Sequence, residues 1–78
     1  MHWNVLSAQA LEWPLVALEF EDGRRGVFDF APYLRAPGLQ RLNDPEFFDL
    51  VEVDHGTVSW PGGIDFAPER LHEGCARA

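Results

Sequence analysis

Lysine is absent from this sequence, and its six basic residues are all arginine: Arg24 and Arg25 adjacent, then Arg35, Arg41, Arg70 and Arg77 scattered along the chain. Thirteen acidic residues stand against them, for a formal charge of −7. Nucleic-acid binding rests on a clustered basic footprint, so no direct nucleic-acid contact is expected of this chain. Cysteine occurs once, at Cys75, which excludes an intramolecular disulfide and fits a reducing cytoplasm better than a secreted setting. No run approaches the roughly 20 apolar residues that cross a bilayer. Met1-His2-Trp3-Asn4 lacks the charged and apolar regions of a signal peptide. The expectation is a soluble cytoplasmic protein with no membrane partner.

What the chain does contain is material for a core. Its 78 residues are 46% hydrophobic and include six Phe, three Trp and one Tyr. Aromatic side chains each bury about 150–250 Å², so they can dominate a small core. A disordered acidic chain would be poor in aromatics and in hydrophobicity. A chain of this length buries roughly 60–65% of its unfolded surface, which allows one domain and no second lobe. That domain is expected over residues 1–74, with residues 75–78 a frayed tail.

Along the chain, His2 to Ser7 reads as a first strand, although Leu6 falls on its polar side. Val16, Leu18 and Phe20 alternate with Ala17 and Glu19, the period of a half-buried strand. Asp22-Gly23 then fits a two-residue turn, which sets Glu21 opposite Arg24, Leu18 opposite Val27 and Ala17 opposite Phe28. The return strand is Arg25 to Phe30. Pro32 to Arg35 is expected as a helical turn, and Leu39 and Leu42 form an apolar pair on another. Asp44-Pro45-Glu46 is a helix start, with Asp44 as N-cap and Pro45 in the first helical position. Leu50 to Val53 and Thr57 to Trp60 read as a second hairpin around a three-residue loop, Asp54-His55-Gly56. Pro61-Gly62-Gly63 turns into an extended Ile64-Asp65-Phe66, and Ala67 to His72 reads as a last helix stopped by Gly74.

One segment recurs. Gly26-Val27-Phe28-Asp29-Phe30-Ala31-Pro32 and Gly62-Gly63-Ile64-Asp65-Phe66-Ala67-Pro68 agree at six of seven positions when Ile is allowed for Phe, 36 residues apart. A strand-to-helix junction needs an apolar strand end, a polar cap and a proline, so convergence and duplication both explain the echo.

Residues that carry chemistry are few. His2, His55, His72 and Cys75 share no metal-ligand spacing, and Asp54-His55-Gly56 is turn chemistry rather than a calcium loop. No serine sits in a glycine-flanked elbow, Cys75 has no positioned base, and no glycine run forms a phosphate loop. No catalytic residue, metal or cofactor is therefore expected. Asp29 and Asp65, at corresponding places in the echo, are read as caps of the local backbone or as paired carboxylates in one pocket. Trp13 and Trp60 are read as core-edge residues or as contact hot spots for a protein.

Taken together, these residues resemble the small bacterial family known as domain of unknown function 2442. The resemblance runs from Val16 to Leu71. It rests on Phe20-Glu21-Asp22-Gly23, Val27-Phe28-Asp29 before Pro32, Leu42-Asn43-Asp44-Pro45-Glu46-Phe47, and Trp60-Pro61-Gly62-Gly63-Ile64-Asp65 before Leu71. The glycine pair after Trp60 departs slightly from the family's tryptophan–proline–polar–glycine pattern. The resemblance implies a small α+β fold and brings no catalytic residues. Its members stand alone, or joined to a helix-turn-helix domain, or beside another short bacterial protein, which implies a regulatory or antitoxin-like role.

The expected fold is α+β: a small antiparallel sheet of two β-hairpins plus an N-terminal strand, with two or three short helices. The expected function is a non-enzymatic protein-interaction or regulatory module. One alternative is a small-ligand sensor or minor enzyme with an Asp29/Asp65/Trp60 pocket, and another is a homodimeric structural domain. The expected partner is a small basic protein, to which the acidic balance is suited, or a second copy of the chain.

Overall fold

The computed structural model describes residues 4–77, and of residues 76 and 77 the backbone alone. His2 and Trp3, placed in the first strand by sequence, lie outside the described residues. The chain makes an antiparallel meander of β1 (Val5–Ala10), β2 (Leu15–Phe20) and β3 (Arg25–Asp29). Short 3-10 turns follow at Ala31–Tyr33 and Gln40–Asn43, and then helix α1 (Pro45–Phe48). A second meander comprises β4 (Glu52–Asp54), β5 (Thr57–Trp60) and β6 (Ile64–Phe66). Helix α2 (Pro68–Gly74) and β7 (Ala76–Arg77) complete the chain. The class is α+β, as expected, but there are two sheets instead of one, ordered β1-β2-β3-β7 and β4-β5-β6. The second edge of β3 is taken by β7, so the later hairpin cannot extend the first sheet there.

The first hairpin differs from expectation by one residue of register. Leu18 pairs with Gly26, Ala17 with Val27 and Val16 with Phe28. The loop is Glu21-Asp22-Gly23, closed by Phe20 N–H donating to the Arg24 carbonyl at 2.9 Å. Parity decides the register, because a side chain alternates faces at every residue. Only this pairing sets Phe28 on the face of Val16 and Leu18, all three of them buried. Arg25 consequently faces Glu19, 3.3 Å away and exposed, in place of the expected pair Glu21–Arg24.

The second hairpin is corrected in the opposite sense. Asp54 pairs with Thr57, leaving a two-residue loop of His55 and Gly56 with φ of 52° and 78°. Positive φ at both central residues is what a type I′ turn requires. Gly56 is constrained twice, because a Cβ there would lie 2.6 Å from the Asn4 side chain.

At β1 the register shifts between Val5 and Ser7, so Leu6 is a bulge residue, which accounts for an apolar side chain on the polar side. The start of β1 also holds both hairpin turns. Glu21 N–H donates to the Asn4 carbonyl, and Val5 N–H donates to the Gly56 carbonyl, each at 2.9 Å. Through the second of these bonds the two sheets are joined.

Helix α1 begins as expected, with Asp44 Oδ1 accepting from Glu46 N–H at 3.0 Å. Helix α2 differs at its end. Gly74 is its last residue rather than a stop beyond it, and a Cβ there would lie 2.8 Å from the Phe28 ring. Small size at that contact, not a left-handed backbone, requires the glycine. Cys75, expected to open a frayed tail, is buried, and Ala76–Arg77 pair with β3. One core fills the space between the sheets, with Val16, Leu18, Phe20 and Phe28 from one sheet and Val58, Trp60, Ile64 and Phe66 from the other. Phe47, Phe48 and Leu71 enter from the helices.

Candidate functional site

The four residues singled out by sequence do not gather into one site. Trp60 is 2% exposed, and its indole N–H donates to the Phe48 carbonyl at 2.8 Å. It packs edge-on to Phe30 with ring centroids 5.3 Å apart. The hot-spot reading of Trp60 therefore gives way to a core residue. Asp29 is engaged locally, its Oδ1 accepting from Ala31 N–H at 2.9 Å, which is the capping role expected of it.

Asp65 behaves differently despite its corresponding place in the echo. Asp29 draws Ala31 into a helical turn, whereas Ala67 stays extended with ψ at 138° and α2 opens only at Pro68. The Asp65 carboxylate makes no hydrogen bond or ion pair with another described residue. It lines a groove of about 320 Å³ with Tyr33, Ala36, Leu39, Phe66 and Arg70. Neither Asp29 nor Trp60 lines that groove, so the three-residue Asp/Trp pocket is not formed. Tyr33 and Arg70 escaped sequence reasoning, since only the fold brings the first 3-10 turn against α2.

Trp13 stands at the surface, 39% exposed, in the loop between β1 and β2. Its indole N–H donates to the Leu42 carbonyl at 2.8 Å, so the ring is fixed to the second 3-10 turn. Leu11 in the same loop is exposed as well, with Glu12 between them.

The pieces of chain that make these features follow one another in a recognised order. Residues 15–77 match the model of the family described as protein of unknown function (DUF2442). The chain belongs to that family. The DUF2442 match starts at β2 and ends at β7, so it covers every helix, the second sheet and all of the first sheet except β1, which precedes it. No curated protein and no solved structure matches the chain.

A last cluster in this DUF2442 domain joins the β2–β3 turn to α2. His72 Nε2 lies 2.8 Å from Asp22 Oδ2, with the His72 ring edge-on to Phe20 at 4.9 Å. An Arg24 guanidinium N–H donates to the Cys75 carbonyl at 3.4 Å, and Cys75 Sγ donates to the His72 carbonyl at 3.7 Å. The Asp22 carboxyl is held below the ordinary carboxylate range, first by the Arg24 backbone N–H and then by His72. These contacts fasten a turn to a helix end and leave Cys75 buried. Among the described residues no group of His, Cys, Asp and Glu could hold a metal ion, and no helix is long and apolar enough to cross a membrane.

Proposed function

We propose that this DUF2442 domain is a non-enzymatic protein-interaction module of the regulatory or antitoxin-like kind, and that it docks through Trp13. The observation that carries this reading is an exposed indole whose single polar atom is already bonded inside the fold. Such a ring offers a rigid apolar face and has little side-chain freedom left to lose on binding. Tryptophan is also enriched among the residues that dominate protein interfaces. Exposed Leu11 widens the apolar face, and the formal charge of −7 favours a basic partner.

The test is affinity capture from the native host with nuclease-treated extract, comparing the natural chain with Trp13→Ala. A stoichiometric basic protein, released by high salt and lost with Trp13→Ala, is the expected result. Capture that is unchanged by the substitution, or no partner from either chain, removes the reading. A circular dichroism spectrum shared by the two chains ensures that loss of binding is not loss of fold.

A further inference from the structure

We infer that the groove beside β6 and α2 binds a small zwitterion, a free amino acid with an apolar side chain. Its walls are set by packing that is independent of any ligand. The Tyr33 ring stands edge-on to Phe66 at 5.5 Å and stacks on Phe28 at 5.9 Å, so one apolar wall is held from two sides. Leu39, half-buried, continues that wall. The groove's volume of about 320 Å³ lies at the small end of the roughly 300–1,000 Å³ seen for ligand sites, which suits an amino acid and is tight for a nucleotide.

Charge selects the ligand class. Asp65 and Arg70 both line the groove, and neither side chain makes a hydrogen bond or ion pair with another described residue. A simple anion would meet Arg70 but be repelled by Asp65, and a simple cation would meet the reverse. A molecule carrying both a carboxylate and an ammonium satisfies both side chains, with the carboxylate accepting from the Arg70 guanidinium and the ammonium donating to Asp65. Its side chain then lies against Tyr33, Leu39 and Phe66. Pockets of this kind combine apolar walls with a few convergent polar groups that orient the ligand.

The experiment is a titration of the isotope-labelled full chain, followed by amide chemical shifts, with three probes. They are L-leucine, L-leucinamide (no carboxylate) and N-acetyl-L-leucine (no ammonium). Saturable shifts with L-leucine at Tyr33, Ala36, Leu39, Phe66 and Arg70 are expected, with each blocked probe weaker by about tenfold. Arg70→Ala should abolish the preference for L-leucine over its amide, and Asp65→Asn the preference over the acetylated form. Both side chains are exposed, so the variants keep the fold. Absence of saturable shifts at millimolar L-leucine overturns the inference, as do equal shifts with all three probes or shifts that map elsewhere. The outcome is separable from the fate of the docking reading, since Trp13 does not line the groove.

Discussion

Phe30 is fully buried and packs against the rings of Phe28, Tyr33, Phe48, Trp60 and Phe66, with centroids 4.7 to 6.4 Å away. It touches a residue from each sheet and from α1, so truncating it leaves a void that no single neighbour can fill. Phe30→Ala is expected to lose about 3–5 kcal/mol of stability, read from urea denaturation midpoints. Trp13→Ala should cost far less, about 1 kcal/mol for one hydrogen bond to a carbonyl at a partly exposed ring. A Trp13→Ala loss comparable to that of Phe30→Ala would show that Trp13 belongs to the core rather than to the surface. The different fates of Trp13 and Trp60 were not legible in the sequence. Each indole is placed by a carbonyl, Leu42 or Phe48, that only the folded chain presents to it. Asp44, by contrast, was legible, because an N-cap and the amide it accepts from are two residues apart.

Turns decide the elements. Gly23 and Gly56 both have positive φ, but a Cβ at Gly23 would meet open space, whereas at Gly56 it would strike Asn4. Gly23→Ala should therefore cost only the left-handed backbone penalty, about 1–2 kcal/mol. Gly56→Ala should exceed it, and equal thermal midpoints for the two variants would contradict the close approach of Asn4. The joint between the β2–β3 turn and α2 has a pH signature. Asp22 has a lowered pKa in the folded chain, so its contribution is present above the ordinary carboxylate value and is lost as pH falls through the folded one. The stability gap between the natural chain and Asp22→Asn should thus close on acidification, with urea midpoints as the measure. A gap that is constant across the acid range would remove Asp22 from the joint. The sequence revealed both hairpins but exchanged their loop lengths. Asp22-Gly23 looks like a two-residue turn by composition, and only the parity of Val16, Leu18 and Phe28 reveals the third loop residue. Parity needs a decision on which face is buried, and local propensity alone does not make it.

For the whole molecule, the order of hairpin, helical segment, hairpin and helix was legible because each piece announces itself within a few residues. The division into two sheets was not, since it depends on β7 reaching β3 from the far end of the chain. The bond from Val5 to Gly56 likewise spans most of the sequence. Nor was the groove legible, because it gathers Tyr33 and Arg70 across three intervening strands, a helix and the turns between them. Its independence from Trp13 means that a docking partner and a small ligand can be tested on one chain without competing for the same residues. The joint at Val5 has a further consequence for how the molecule comes apart. Because this amide bridges the two sheets, neither can melt alone without releasing it. Its hydrogen exchanges through the least costly opening that frees it, so its protection reports the weaker of the two sheets at their joint. Gly56→Ala, which sets a Cβ against Asn4 beside this bond, would lower that protection, making a single amide proton a gauge of the joint.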